Sequence, residues 1–170
     1  GIVLKRRDNA KIVKKIVGGM VNILLDEIDI EKAINFIRTA MSNLVKGKYP
    51  LYYFETSKTL KQTYADRTRI AHVCLADRIK ERDPGNAPEI NERIRYVAIE
   101  TNDKKKLQGE RIEDPDYIIE NKLKVDYLFY ITNQLQNPIV QFLELLMDNP
   151  NQIFKEIIDI ENNKKKGNIS

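Results

Sequence analysis

The chain has 170 residues and a formal net charge of +4, and 42% of its residues are hydrophobic and 32% charged. This composition suffices for one folded domain, or one domain with an extra lobe, and excludes a chain that is disordered throughout. No apolar run approaches the roughly 18 residues that span a bilayer, so no membrane partner is predicted. The single cysteine, Cys74, excludes an internal disulfide and predicts an intracellular, reducing compartment.

Charge is unevenly distributed along the sequence. Residues 1–82 contain 17 basic and 9 acidic residues, whereas residues 83–163 contain 9 basic and 16 acidic residues. A basic half followed by an acidic half indicates a protein with one face toward a polyanion. Chance segregation of solvated charges is the alternative interpretation.

The first third of the chain predicts two helices. Apolar residues at helical spacing predict a helix over residues 12–25, with Gly18-Gly19 as a weak point or break. Asp29 is predicted to cap a second, strongly amphipathic helix. Gly47 is predicted to end that helix.

The middle of the chain alternates extended and helical patterns. Residues 51–60 are rich in aromatic and Thr residues and predict an extended segment. Thr68 is predicted to cap a helix that the Asp83-Pro84 pair stops. In residues 92–100, Ile94, Tyr96 and Ala98 alternate with Arg95, Val97 and Ile99, and this pattern predicts a second extended segment. A polar loop is predicted over residues 101–111.

The last third predicts helices again. Asp114-Pro115 has the composition of a helix start, with a capping carboxylate followed by proline. Residues 125–147 predict a helix that Pro138 divides or kinks. Residues 153–160 predict a last helix, before a basic tail over residues 164–170 that is expected to fray.

No catalytic or metal-binding residue is predicted in this chain. A phosphate-binding glycine-rich loop is missing, and one His and one Cys cannot form a credible nucleophile set. Acidic residues cluster at 26–31 and 113–116, where they precede helices and are explained by capping and the helix dipole. Two-metal catalysis would need carboxylates that converge from separate rigid elements.

Two basic clusters could instead lie along a phosphate backbone, which would give affinity without reading sequence. The first comprises Lys5, Arg6, Arg7, Lys11, Lys14 and Lys15. The second comprises Lys58, Lys61, Arg67, Arg69, Arg78, Lys80 and Arg82.

Several longer segments carry a resemblance to one family. "GIVLKRRDNAKIVK" (1–14) resembles the end of the palm subdomain in family B DNA polymerases, particularly of the delta type. "SKTL" (57–60), "IAHVCLADRIKERDPGNAP" (70–88) and "ERIRYVAIE" (92–100) resemble the thumb subdomain of the same family. "RIEDPDYIIENKLKVDYLFYITNQLQNPI" (111–139) is similar to a delta-type segment. The Asn/Ile/Lys-rich composition resembles that of enzymes from large DNA viruses.

The resemblance implies an α+β, predominantly helical fold, namely a polymerase thumb with a short palm-end segment and a few short strands. Residues 1–28 would end the palm, residues 29–163 would form the thumb, and residues 164–170 would be a flexible basic tail. The implied function is to hold primer–template duplex within a replicative DNA-directed DNA polymerase. The alternative is a helical protein-interaction module of a replication protein without polymerase activity.

The resemblance also implies residue roles. Lys5, Arg6 and Arg7 would approach the primer-side backbone, although an Arg7–Asp8 ion pair is the alternative for Arg7, and Lys11 extends this basic cluster. The thumb residues implied to contact duplex phosphates are Ser57, Lys58, Thr59, Arg78, Arg82 and Arg93.

The catalytic aspartates of the family would lie upstream of Gly1, so this chain is expected to be a piece of the enzyme and inactive alone. Mg²⁺ is implied for the parent polymerase and no cofactor for this piece. The implied partners are primer–template DNA, the remaining palm, the fingers, the exonuclease part and a sliding clamp. The nucleus and a viral replication site both remain open as its location.

Overall fold

The computed structural model describes residues 9–61, 70–101 and 108–167. This part of the chain is mostly helical with a small antiparallel sheet, which confirms the predicted α+β class. In chain order the elements are α1 (Lys11–Asp26), α2 (Ile30–Val45), β1 (Thr56–Thr59), α3 (Ala71–Arg82), β2 (Arg93–Ala98), β3 (Ile112–Glu113), α4 (Pro115–Asn121), α5 (Tyr127–Tyr130), α6 (Gln136–Leu143) and α7 (Asn151–Gly167). None of these helices is long and apolar enough to cross a membrane.

The chain divides into two compact units. The helical unit comprises Gly1–Tyr53 with Tyr127–Ser170, and the mixed unit comprises Phe54–Asp126. The predicted palm-to-thumb boundary after residue 28 therefore lies inside the helical unit, between two helices that pack on each other.

Helices α1 and α2 form the first layer of the helical unit. Each buries one apolar face, because apolar residues recur every three or four positions. The buried residues are Ile12, Val13, Ile16, Val17 and Met20 of α1, and Ala33, Ile37, Ala40, Met41 and Leu44 of α2.

The expected break at Gly18-Gly19 is wrong, because α1 is continuous from Lys11 to Asp26. Gly19 instead lies against α2, where an added Cβ would stand 2.4 Å from the ring of Phe36. The glycine thus permits a close helix–helix approach rather than a kink. A Cβ added at Gly18 would meet nothing within 4 Å.

The predicted helix ends on α2 are confirmed. The Asp29 carboxylate accepts a hydrogen bond from the Lys32 N–H at 3.0 Å, as a cap does. Gly47 follows the helix with φ at +73°, in the left-handed region that favours glycine.

The extended segment predicted for residues 51–60 is only partly correct. Leu51–Phe54 is a 3₁₀ turn, which begins where the Tyr53 N–H donates to the carbonyl of Pro50. Strand β1 is confined to Thr56–Thr59. The aromatic residues that suggested a strand pack on one another instead, and the Tyr52 and Tyr53 rings meet edge-to-face at 4.8 Å.

The division expected near Pro138 takes the form of a π-helical turn at Ile131–Leu135, between α5 and α6. Proline lacks an N–H and its ring clashes with the carbonyl four residues earlier, so the preceding turn widens. In this turn the Gln134 side chain accepts a hydrogen bond from the Ala10 N–H at 3.2 Å.

Two predictions concern residues at the edges of the described ranges. Thr68, the predicted cap of α3, lies outside the described residues, and Ile70 occupies the position before the helix. Helix α7 continues through Gly167, past Lys164, where the basic tail was expected to begin.

The mixed unit is built on a sheet of order β1-β2-β3. In β1 and β2 the antiparallel register runs from Thr56 opposite Tyr96 to Thr59 opposite Arg93. Helix α3 covers one face of this sheet. Their shared core consists of Leu60, Val73, Leu75, Ala76, Ile94 and Ile112.

Candidate nucleic-acid interface

The predicted interface residues fall in both units. Lys5, Arg6 and Arg7 lie outside the described residues. Lys11 is the first residue of α1, and its side chain is exposed on the helical unit.

Lys11 belongs to a lysine–tyrosine surface on the helical unit. Its ammonium group lies 5.2 Å from the centre of the Tyr52 ring. One helical turn later, the Lys15 ammonium lies 5.6 Å from the centre of the Tyr53 ring. Such cation–π contacts attract the ammonium groups to the rings by about 0.5–1 kcal/mol each at exposed sites. Lys15 belongs to the first basic cluster, although no DNA contact was predicted for it individually. Because it follows Lys11 by four residues, both lysines lie on one face of α1.

Strands β1 and β2 bring Arg93, Ser57 and Thr59 together on the mixed unit. Opposed residues of an antiparallel pair share a face, so Thr59 and Arg93 lie on one side, with Ser57 beside them. The Arg93 guanidinium donates to the Ser57 hydroxyl at 2.8 and 3.1 Å, and to the Thr59 hydroxyl at 3.2 Å. It also donates to the Ser57 carbonyl at 2.9 Å.

Arg95 joins this face, although it was not named from the sequence. It stands opposite Ser57, two residues beyond Arg93, and is exposed. The period of two in "RIR" was the signal that could have identified it. Its guanidinium lies 3.5 Å from the carboxylate of Glu55, an exposed pair of the kind that contributes little to stability. Arg93, Arg95, Ser57 and Thr59 are called the strand face below.

Lys58 lies on the opposite side of the sheet, since it pairs with the buried Ile94. Its ammonium group is exposed and lies near His72 on α3. Burial lowers the pKa of His72 and the positive charge of Lys58 lowers it further, while a backbone hydrogen bond at Thr59 acts in the opposite direction. Lys58 is therefore separate from the strand face.

Arg78 and Arg82 are engaged inside the mixed unit. Arg82 donates two hydrogen bonds to the Glu113 carboxylate, at 2.8 and 2.9 Å. Arg78 donates to the carbonyls of Gly109 and Ile112, at 2.8 and 2.7 Å, and approaches Glu113 at 3.4 Å. These contacts tie α3 to the chain around β3. That these two arginines contact DNA stays a prediction, and their geometry favours a structural role.

Glu113 is the buried centre of this network. Burial acts to raise its pKa, but the hydrogen bonds from Arg82 and the Asp114 N–H, with the charges of both arginines, outweigh burial and lower the pKa. The Arg82 guanidinium also lies over the Tyr117 ring, 3.7 Å from the ring centre.

The acidic clusters serve the fold. Asp29 caps α2, and Asp114 caps α4 by accepting from the Tyr117 N–H at 3.2 Å. Within the described ranges, no group of three or more His, Cys, Asp or Glu side chains could hold a metal ion. The described residues therefore do not fit the Mg²⁺ ions implied for the parent enzyme.

The strand face can bind phosphate without distinguishing bases. A guanidinium group matches two phosphate oxygens with parallel N–H donors. A hydroxyl that accepts from Arg93 keeps its own O–H, so Ser57 can donate to a phosphate oxygen. Contacts of this kind position a duplex and carry no sequence information.

Comparison with known proteins gives concordant matches. The sequence model described as DNA polymerase family B matches residues 1–146. The chain is 49% identical over 174 residues to a DNA polymerase of Acanthamoeba polyphaga mimivirus, covering 98% of this chain and 10% of that protein. It is 48% identical over 178 residues to a DNA polymerase of Pyramimonas orientalis virus, with coverages of 98% and 15%.

A cellular relative and a solved structure agree with these matches. The DNA polymerase delta catalytic subunit of Glycine max is 35% identical over 150 residues, which cover 88% of this chain and 14% of that protein. The structure of the family B DNA polymerase from the hyperthermophilic archaeon Pyrobaculum calidifontis is similar in fold, with a TM-score of 0.64 at 22% identity. That match covers 82% of this chain and 18% of the archaeal chain. The chain thus spans between 10% and 15% of the length of these curated relatives.

Proposed function

This chain belongs to DNA polymerase family B, and from that premise we propose that it is the thumb region of a replicative DNA-directed DNA polymerase. Its role is to hold primer–template duplex by backbone contacts while the rest of the enzyme extends the primer. Residues 1–28 end the palm, residues 29–163 form the thumb, and residues 164–170 are a basic extension.

The observation that carries this proposal is the strand face. Two exposed arginines and two hydroxyl side chains lie on one side of β1 and β2, and Arg93 is oriented by hydrogen bonds with Ser57 and Thr59. Pre-orientation reduces the rotamer entropy that a long side chain loses when it binds phosphate. The lysine–tyrosine surface supplies further cations on the helical unit.

Catalysis belongs to other parts of the polymerase. Nucleotidyl transfer requires carboxylates that hold Mg²⁺, and the residues described for this chain present no such group. The remaining palm, the fingers and the exonuclease part are therefore its partners within the enzyme, and a sliding clamp is a partner of the assembled polymerase.

The direct test is binding of the purified chain to fluorescein-labelled duplex DNA, followed by fluorescence anisotropy. Two duplexes of different sequence should bind equally, because phosphate contacts do not distinguish bases. The logarithm of the affinity should fall linearly with the logarithm of salt concentration, because binding releases counterions. Equal affinity at 50 mM and 200 mM salt, or binding to one duplex alone, would contradict the proposal.

A further inference from the structure

The mixed unit has a cleft of about 720 Å³ beside the first half of β2. Arg93, Ile94 and Arg95 of the strand line the cleft. Asp116 and Glu120 of α4 also line it. The cleft lies entirely within the mixed unit.

The backbone N–H and C=O groups of Arg93 and Arg95 point away from β1. The Ile99 N–H donates to the Arg111 carbonyl at 2.9 Å, next to the β2–β3 pairing. Backbone groups of alternate residues in a strand point to the same side, so Val97, Arg95 and Arg93 direct theirs the same way. Glu92, the residue before Arg93, points the other way, because its carbonyl accepts from the Leu60 N–H at 2.9 Å on the edge of β2 that faces β1.

Strand β3 ends before it reaches these two residues. It pairs only with Val97 and Ala98. The next position toward Arg95 in the same register is Pro115, which lacks an N–H and begins α4. Among the described residues, no strand pairs with this edge of β2 at Arg93 and Arg95.

The charge of the lining favours a basic occupant. All three arginines of the lining have side-chain partners. Arg82 is bound by Glu113, Arg93 by Ser57 and Thr59, and Arg95 lies 3.5 Å from Glu55. Five acidic residues line the cleft against these three arginines, namely Asp83, Glu92, Asp114, Asp116 and Glu120. A phosphate backbone that entered the cleft, instead of lying on the strand face, would meet these five negative charges, whereas a Lys or Arg side chain would meet complementary ones.

We propose that this cleft binds an extended basic segment of another protein, which adds a short strand to β2 at Arg93 and Arg95. The N–H and C=O groups of these two residues offer up to four main-chain hydrogen bonds. Side chains alternate along a strand, so every second side chain of the segment can reach the carboxylates of α4. This docking site goes beyond DNA holding, because it recruits a protein partner to the mixed unit.

A synthetic peptide tests strand addition on the unaltered chain. The probe is a fluorescein-labelled octapeptide of alternating Val and Lys, followed by fluorescence anisotropy. N-methylation of all Val or of all Lys residues removes the N–H donors of one peptide edge, so one methylated form should lose about tenfold in affinity and the other should not. Unchanged binding of both methylated forms, or equal binding of a Val-Glu octapeptide, would overturn the proposal.

Three variants test the residues of the protein that the proposal places in contact with the peptide. Arg95→Pro removes an N–H that faces the cleft and takes no part in the β1–β2 ladder, and Arg95→Ala removes only the side chain. Arg95→Pro should bind the Val-Lys peptide about tenfold more weakly than Arg95→Ala. Replacing Asp116 and Glu120 with Asn and Gln should weaken binding severalfold.

The variants also separate the peptide from DNA as the occupant. Thermal melting by circular dichroism shows whether Arg95→Pro is folded, and the N-methylated peptides decide the question if it is not. Equal peptide affinity of folded Arg95→Pro and Arg95→Ala would overturn the proposal. So would an Arg95→Pro defect that appears for duplex DNA and not for the peptide.

Discussion

Glu113 is the one charged side chain that the described residues bury, and it explains why two predicted DNA contacts are engaged elsewhere. Arg78 and Arg82 lie 35 and 31 residues before it in sequence, and both approach its carboxylate. A buried carboxylate needs such partners, because removal from water is costly unless the charge is paired. At the scale of residues, this ion network stabilises the mixed unit.

Glu113→Gln is expected to lower the free energy of unfolding by about 2 kcal/mol at pH 7, because it removes the charge that pairs with Arg82. The pKa of Glu113 is lowered in the folded chain, so its contribution is present above the unfolded pKa of about 4.5. That contribution is lost as the pH falls through the folded pKa. The difference between wild type and variant should therefore shrink below about pH 4.5 in urea unfolding followed by circular dichroism.

The matched control is Glu156→Gln, which removes the exposed ion pair with Arg38 and should leave the unfolding midpoint unchanged. A Glu113→Gln deficit that stays constant from pH 7 to pH 3 would contradict the assigned role of Glu113.

At the scale of elements, short sequence patterns predicted where helices begin and end, but they did not predict which elements pack on each other. Asp29, Gly47 and Asp114 act through backbone groups within three or four residues, so their roles follow from sequence. The Gly19–Phe36 contact joins two helices, and no local pattern encodes which helix faces the glycine. The 3₁₀ turn at Leu51–Phe54 was missed for a related reason, since aromatic residues fill a turn as readily as a strand when they pack together.

The two neighbouring glycines of α1 give a paired test of this packing. Gly18→Ala should stabilise the chain by about 0.5–1 kcal/mol, because alanine favours the helix and has space there. Gly19→Ala should be about 1 kcal/mol less stable than Gly18→Ala, because its Cβ displaces the Phe36 ring. Chemical denaturation of both variants measures the difference, and equal stabilities would show that Gly19 is not required for close α1–α2 packing.

At the scale of the whole molecule, both the family and the fold class were predicted from the sequence, and both predictions are confirmed. Long ordered segments identify a family even where individual contacts are unknown. The binding residues were harder to predict, because phosphate contacts ask only for basic side chains on an exposed face, and many lysines and arginines satisfy that requirement. The sheet register then separated Arg93 and Arg95 from Arg78 and Arg82.

The account depends on the strand face being a phosphate-binding surface, and a comparison of salt dependence tests it most directly. Arg93→Ala removes an arginine of that face, whereas Arg38→Ala removes an arginine of the helical unit that is also exposed. Duplex affinity is measured for both variants and for wild type between 50 mM and 200 mM salt. The account predicts that Arg93→Ala weakens binding to every duplex and reduces the steepness of the log–log salt plot by about 1, while Arg38→Ala matches wild type. Equal slopes and affinities for all three proteins would contradict it.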